Sequence, residues 1–513
     1  MPTNSYDLIV VGDDLAGLVA AALCARSGMR TLVLAAEDRP GRYALGPHRL
    51  PVEIQPFAAR GGAAAERVIK DLHLDHALKR RLREARTSAQ IVGPDARLDV
   101  ASDTHALTRE LERELPDHAA AALAAWERAS ELSRASDPLF AGAEAFPGVG
   151  FWERRKVASL AADAEAAAQA WWSQTETALA DSPALALLAL PAVLGARAWP
   201  PAPLALARAL DSWRAGVPAV RGDGDALREL LVEKLTQSSG ELRVARVGEL
   251  LQNWGKIHAV RLENGEELGA GQVIAALPVA GLIPLLGRKP PRRLTELAES
   301  ISVAGWRYTL NIVVDQAGVP EGMAPTVIAV RDPAEPLHGD NAFALHVGEV
   351  DDAGRVAITI SAVLAAPDNG EAARAAADPE WLEHKLDDLR GGLMDAVEMV
   401  VPFLAEHVIV AHSPHQQAAP EIPGGRGGHE APRNLPVPPR PLWRGSLEGS
   451  AGLGAAPYLT GIKNLTLAST QVLPHLGLEG EMAAGWSAAK IAAALAGKKK
   501  DYLRDEVLNV GSG

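Results

Sequence analysis

The start of the chain constrains its fold more than any other stretch. Residues 6 to 12, YDLIVVG, are a short apolar run stopped by glycine, which reads as a buried strand. Residues 15 to 27 follow as a helix rich in Ala and Leu, closed by Gly28, the residue type that most readily ends a helix. RTLVL, residues 30 to 34, is the next strand. Strand, helix and strand in about 30 residues make a βαβ unit.

No internal repeat follows. From about residue 64 to 215 the pattern is mostly helical and alanine-rich, broken by Pro191, Pro200, Pro201 and Pro203. Residues 217 to 285 return to strands, with two hairpins turning at Trp254-Gly255 and Asn264-Gly265, dipeptides suited to tight turns. Alternating strands recur at YTLNIVV (308 to 314) and VAITISAVL (356 to 364). Residues 380 to 401 read as an amphipathic helix with Leu382, Leu386, Leu389, Leu393, Val397 and Val400 on one face. Residues 413 to 456 are rich in Pro and Gly and long for a loop, a length typical of functional covers or connectors. A strand, NLTLAS (464 to 469), and a helix from about 479 to 496 close the pattern.

This order predicts an α/β fold. A Rossmann-like dinucleotide-binding domain is assembled from residues 1–75, 216–288 and 450–497. An α+β substrate domain comprises 76–215 and 289–449, with a C-terminal tail at 498–513. Ligands in such folds sit at the carboxyl ends of the parallel strands and at the domain interface.

Composition narrows the function classes. A chain of 513 residues with 48% hydrophobic and 22% charged residues builds two or three packed units. The net charge of −13 argues against a general nucleic-acid binder, which needs a basic surface. Cys24 is the only cysteine, so an intramolecular disulfide and a cysteine metal cluster are both excluded. The first residues lack the basic-then-apolar layout of a signal peptide. The most apolar stretch, 183 to 194, falls short of the roughly 20 residues of a membrane span. A soluble, cytoplasmic protein is expected. Two basic clusters leave peripheral membrane contact open: Lys79-Arg80-Arg81 with Arg83, and Arg154-Arg155-Lys156 after Phe151-Trp152. The plainer reading is a charged helix face beside core tryptophans. Trp306 and Tyr308 could line a pocket, with core packing the plainer role. The histidine pairs His73/His76 and His412/His415 lack a further ligand at metal-binding spacing, so no metal is expected.

The turn after the first strand carries the chemistry. Gly12-Asp13-Asp14-Leu15-Ala16-Gly17 stands where G-x-G-x-x-G would open a dinucleotide site. The central glycine of that pattern lets the backbone approach a diphosphate resting on the helix amino end. Asp14 occupies its place. Two like charges about 5 Å apart, at an effective dielectric of about 20, repel by roughly 3 kcal/mol, or on the order of a hundredfold in affinity. Asp13 or Asp14 could instead cap the helix and fill the anion site from within. After the second strand an acid normally holds the ribose hydroxyls, whereas here Ala35, Ala36 and Glu37 follow. Ala35 cannot serve and Glu37 reads as a loop charge. An acid-free strand end near Arg39 and Arg42 also suits a 2′-phosphate.

Three segments carry a resemblance. DLIVVGDDLAGLVAAALCARSGMRTLVLAAEDRPGR resembles the N-terminal flavin fingerprint of phytoene desaturases and flavin-containing amine oxidases. RGDGDALRELLVEKLTQSSGELRV resembles their internal segment, and NLTLASTQVLPHLGLEGEMAAGWSAAKIAAAL their C-terminal flavin-contact motif. The matches come in the family's order. The resemblance implies FAD, with the Gly12, Asp14, Leu15, Ala16 and Gly17 turn, Arg39, Gly41 and Arg42 around the diphosphate. It implies Ala35 at the ribose, Val244 by the adenine and Ser469-Thr470 at the ribityl and phosphate portion. Gly477, Leu478 and Glu479 would meet the flavin. The departures are Asp14 for glycine, Ala35 for an acid, Gly41-Arg42 where two glycines are usual, and Ser469-Thr470 where Gly-Asp is usual. The implied function is a flavin oxidoreductase acting by hydride transfer on an apolar, carotenoid- or lipid-like substrate, with weakened or altered cofactor binding. No catalytic residue emerges. The clustered departures favour an alternative: a cofactor-free binding module, or a subunit with a protein partner or a second copy of itself. An NAD(P)-binding reductase is the weaker alternative.

Overall fold

The computed structural model describes residues 4–36, 41–54, 57, 62–83, 87, 89–221, 225–287, 290–366, 378–416 and 436–497. The opening strand, Asn4–Val11, is fully buried over Leu8, Ile9 and Val10. It pairs in parallel with Thr31–Ala35 on one side and Glu267–Ala275 on the other. Such a run is apolar at consecutive positions because both faces of a central parallel strand are covered. Glu241–Val244 extends one edge, Leu465–Leu467 joins Glu267–Ala275, and the strands Val247–Asn253 and Lys256–Leu262 add an antiparallel hairpin. This seven-stranded sheet therefore gathers segments from three distant parts of the chain. Both expected turns form: Gly255 and Gly265 have positive φ, and Trp254 shares the left-handed conformation.

The first helix, Leu15–Arg26, is buried from Ala16 through Ala25. It packs against the last helix, Gly477–Leu495. The contact is close enough that a Cβ at Gly485 would lie 2.4 Å from the Ala16 carbonyl oxygen and 2.7 Å from Val19 Cβ. Alanine-rich faces allow that approach and provide the core that fixes the amino end of the first helix in space.

The second sheet has eight strands built around the long strand Ser302–Asp315. Its neighbours are Val408–His412, Arg355–Ala365 and, beside its first residues, Arg440–Arg444. Ala342–Val347, Thr326–Val330, Ala89–Val92 and Arg97–Asp99 complete it. On one face Tyr308, Leu310, Ile312 and Val314 pack on Leu386, Leu389 and Leu393 of the helix Pro379–Val397. The expected apolar stripe of that helix is therefore its core face. Alternation sends Arg307, Thr309 and Asn311 to the other face, where they are buried although polar. Trp306 and Tyr308 are core residues, and neither lines the cavity described below.

Two features depart from the sequence reading. Ala89–Val92 and Arg97–Asp99 are strands inside a stretch read as helical. Four and three residues are too few for a period of two to register; Arg97–Asp99 pairs with Ala89–Val92, whose other partner, Thr326–Val330, lies more than two hundred residues away. Arg440–Arg444 is a strand inside the Pro/Gly-rich loop, while residues 417–435 of that loop lie outside the described residues. The helix Pro183–Gly195, the most apolar stretch, is buried against the second sheet. No described helix is long and apolar enough to cross a membrane. Phe151 and Trp152 are exposed at the first turn of the helix Phe151–Ala178.

Replacing Gly485 by valine should force the two helices apart. The expected cost is about 1–3 kcal/mol of stability, read as a lower thermal midpoint in a circular-dichroism melt. An unchanged midpoint would show that the close approach does not carry the packing.

Candidate functional site

The carboxyl end of the opening strand turns at Gly12, with φ of +96°, where a Cβ would stand 2.4 Å from the Ala276 carbonyl oxygen. A Cβ at Gly17 would stand 2.4 Å from Ala276 Cβ. Both glycines are thus demanded by packing of the turn and helix on the neighbouring strand, with no ligand involved. Asp14 lies between them at the helix N-cap, but its carboxylate makes no capping bond. Asp13 is engaged elsewhere, 2.5 Å from Arg228, whose guanidinium also donates to the Asp13 carbonyl at 2.8 Å. The expectation that one of these aspartates caps the helix is therefore corrected: neither does so in this geometry.

Asp13 and Asp14 open onto a cavity of about 510 Å³ between the two sheets. Its inner end holds a network of charge that is buried except for the exposed Arg440 side chain. Arg197 pairs with Glu53 and lies 3.4 Å from Glu481, while Arg440 donates to the second Glu53 oxygen at 2.7 Å. Arg307 donates to the carbonyls of Leu194 and Ala196, at 2.6 and 2.7 Å. Burial alone would push the Glu53 carboxyl up, but Arg197, Arg440 and Arg307 outweigh it and hold Glu53 down at about 2. Glu481 moves the opposite way: burial, helped by the charges of Asp14 and Glu53, pushes it above the usual carboxylate range against the pull of Arg197 and Arg440. Burial and the neighbouring Arg197 bring Arg307 down to about 9. Arg440 is raised, chiefly by Glu53.

The wall as a whole is basic. Among the described residues nine arginines and six carboxylates line it, in a chain whose net charge is −13. His415 adds a polar edge: its Nδ1 lies 2.8 Å from the Val437 carbonyl, so Nδ1 donates. Burial lowers its pKa, and Nε2 is a buried acceptor with no hydrogen-bond partner among the described residues. The other member of the pair, His412, contacts the Tyr43 hydroxyl at 3.0 Å. Among the described residues no group of three His, Cys, Asp or Glu is placed to hold a metal.

The residues singled out from sequence are divided by this geometry. Asp14, Leu15, Gly41, Arg42 and Leu478 line the cavity, whereas Gly12, Ala16 and Gly17 lie behind it. Ala35 is buried at its strand end, where its carbonyl accepts from the Ala245 amide at 2.8 Å, and Val244 is exposed beside it. Neither lines the cavity. Ser469 is buried and accepts from the Gln471 amide at 3.3 Å; Thr470 accepts from the Trp443 indole at 3.0 Å. Gly477 begins the last helix with φ of +54°. Glu479 turns away from the cavity onto buried Arg208, taking two bonds of 2.9 and 2.5 Å. Arg208 is further held by Ser136 and Asp137. Arg39 lies outside the described residues.

Glu53, Arg197, Arg307, Arg440, Glu481 and His415 were not singled out from sequence. One signal was available: Arg307 is a charge inside the long strand Ser302–Asp315, and a charge on a core strand calls for a partner.

No protein-family model matches the chain, and no curated protein matches it. Solved structures match it along nearly the whole length. A wild-type putrescine oxidase bound to putrescine shares 15% identity, covers 96% of this chain and 99% of its own, and superposes with a TM-score of 0.55. An oxidoreductase from Methanosarcina mazei shares 14%, covering 94% and 99%, with a TM-score of 0.55. Cyclohexylamine oxidase from Brevibacterium oxydans shares 17%, covering 97% and 100%, with a TM-score of 0.51. The chain has the fold of the flavin amine oxidases: a parallel Rossmann-like sheet joined to an antiparallel substrate-domain sheet.

Glu53→Gln should leave Arg197 buried without its nearest anion, a loss of about 3–5 kcal/mol. Glu53 titrates lower in the folded chain, at about 2 against an ordinary 4.5. Its stabilisation is therefore complete above pH 4.5 and fades as pH falls toward 2. Thermal midpoints measured from pH 5 to pH 3 should fall more steeply for the wild type than for E53Q; parallel slopes would refute the assignment.

Proposed function

We propose that this chain is a non-oxidising member of its fold, one that binds a small molecule in the cavity between the sheets and does not hold FAD across it. The observation behind this reading is the pair Asp13 and Asp14 at the amino end of the first helix, with Asp14 facing the cavity. A diphosphate resting there would add negative charge beside the Asp14 carboxylate, Asp13 being paired with Arg228. The remaining anchors do not compensate. Ala35 offers no acid for a ribose, Thr470 is engaged by Trp443, and Glu479 is committed to Arg208. Arg228 is paired with Asp13, and further in Glu53 and Glu481 pair with Arg197 and Arg440. The two fingerprint glycines that remain, Gly12 and Gly17, are accounted for by packing on Ala276.

The competing reading is a flavin oxidoreductase with weakened cofactor binding and an apolar substrate. In its favour, Leu15, Gly41, Arg42 and Leu478 line the same cavity, and part of the wall, including Leu50, Ile54 and Phe57, is apolar.

The visible spectrum of the purified full chain separates the two. We expect a colourless protein that does not saturate with FAD on titration. The Asp14→Gly variant should gain affinity for FAD on the order of a hundredfold, the inverse of the charge repulsion removed. A yellow protein carrying one FAD per chain would sink the proposal.

A further inference from the structure

The structure assigns a ligand class to the inner end of this cavity: we propose that it binds a small organic carboxylate that carries a hydroxyl or amine donor and an apolar body. The inference rests on the reading that FAD does not fill the cavity, and it names what does.

The first observation is Arg307. It lies on the central strand Ser302–Asp315, lines the cavity and is only 3% exposed. Its two terminal nitrogens are held by Leu194 and Ala196, carbonyls at the carboxyl end of the helix Pro183–Gly195. No carboxylate among the described residues lies within ion-pair distance of it. The two nearby glutamates are spent, Glu53 on Arg197 and Arg440, and Glu481 on Arg197. Among the described residues Arg307 is thus the one of these three arginines left without a carboxylate partner. A buried cation without an anion is costly. A ligand carboxylate supplies the missing charge, and the planar guanidinium suits it.

The second observation is independent of charge. His415 lines the same cavity and is 8% exposed. Because Nδ1 donates to Val437, Nε2 of the neutral ring can only accept, and nothing among the described residues donates to it. A buried acceptor left unmade calls for a donor from the ligand. Arg307, His415 and Glu53 line the same cavity. The third element is the apolar wall of Leu50, Ile54, Phe57 and Val313, which accepts a hydrocarbon or aromatic body.

Three probes divide these contributions in calorimetric titrations of the full chain. 3-Phenyllactate has carboxylate, hydroxyl and apolar body; 3-phenylpropionate lacks the hydroxyl; 2-phenylethanol lacks the carboxylate. We expect phenyllactate to bind most tightly, phenylpropionate about tenfold more weakly, and phenylethanol about a hundredfold more weakly, as loss of a neutral and of a charge-assisted hydrogen bond predicts. His415→Phe should abolish the preference for phenyllactate over phenylpropionate while leaving phenylpropionate affinity unchanged, an outcome that general damage to the fold would not produce. Arg307→Met should lose both acids. If that variant does not fold, Arg307→Lys, which keeps the charge but not the planar fork, should weaken both acids about tenfold. Acids that bind no better than phenylethanol, or an affinity untouched by His415→Phe and Arg307→Lys, would overturn the inference. A colourless chain that binds none of the probes refutes this ligand class and leaves the cofactor-free reading standing. A chain that carries FAD refutes that reading; if the acids still bind after FAD is removed, with the same dependence on Arg307 and His415, the ligand class survives.

Discussion

Arg197 is buried at the seam between the two sheets, and its charge is balanced by glutamates from opposite ends of the chain. Glu53 comes from just beyond the short hairpin of Arg42–Leu45 and His48–Pro51, and Glu481 from the first turns of the last helix. Its backbone is engaged as well: its amide donates to Pro474, and its carbonyl accepts from Trp443. Leaving that cation unpaired at such depth would be costly, so hairpin, helical layer, second sheet and last helix are held together where Arg197 sits. The cavity wall is assembled around this constraint, with Arg440 and Arg307 completing the ring.

The same network gives meaning to the altered glycine fingerprint. Glycines in such a turn serve two separable purposes, letting the chain fold and letting a phosphate approach. Gly12 and Gly17 serve the first, as their contact with Ala276 shows. Position 14 serves the second, and there an aspartate faces the cavity. The architecture is therefore kept by packing forces that act whether or not a cofactor binds, while a carboxylate stands at the cavity opening. A fold whose relatives are oxidases can be retained intact on those terms, because the helix dipole and the buried alanine face do not depend on what occupies the cavity.

Much of the framework was legible before the fold was known. The βαβ start, the two hairpins, the Leu382-to-Val400 stripe and the closing strand and helix all follow from local periodicity, which backbone geometry imposes on any chain that must bury one face. What escaped had no local period. The strands Ala89–Val92 and Arg97–Asp99 exist because the edge of a distant sheet needs covering. Glu479 looked like a flavin contact from its place in the motif, yet its side chain turns to Arg208, a residue about 270 positions away. Thr470 likewise answers to Trp443 across the seam.

The sequence by itself determined the fold class, the site of the turn and the presence of a carboxylate at its centre, since these depend on spacing and residue type within a few dozen positions. Only the tertiary structure decided that Glu53, Arg197, Arg307, Arg440, Glu481 and His415 share one cavity, and that its wall is basic in an acidic chain. The reason is physical: charge balance in a buried site is summed over neighbours in space, and those neighbours come from segments hundreds of residues apart.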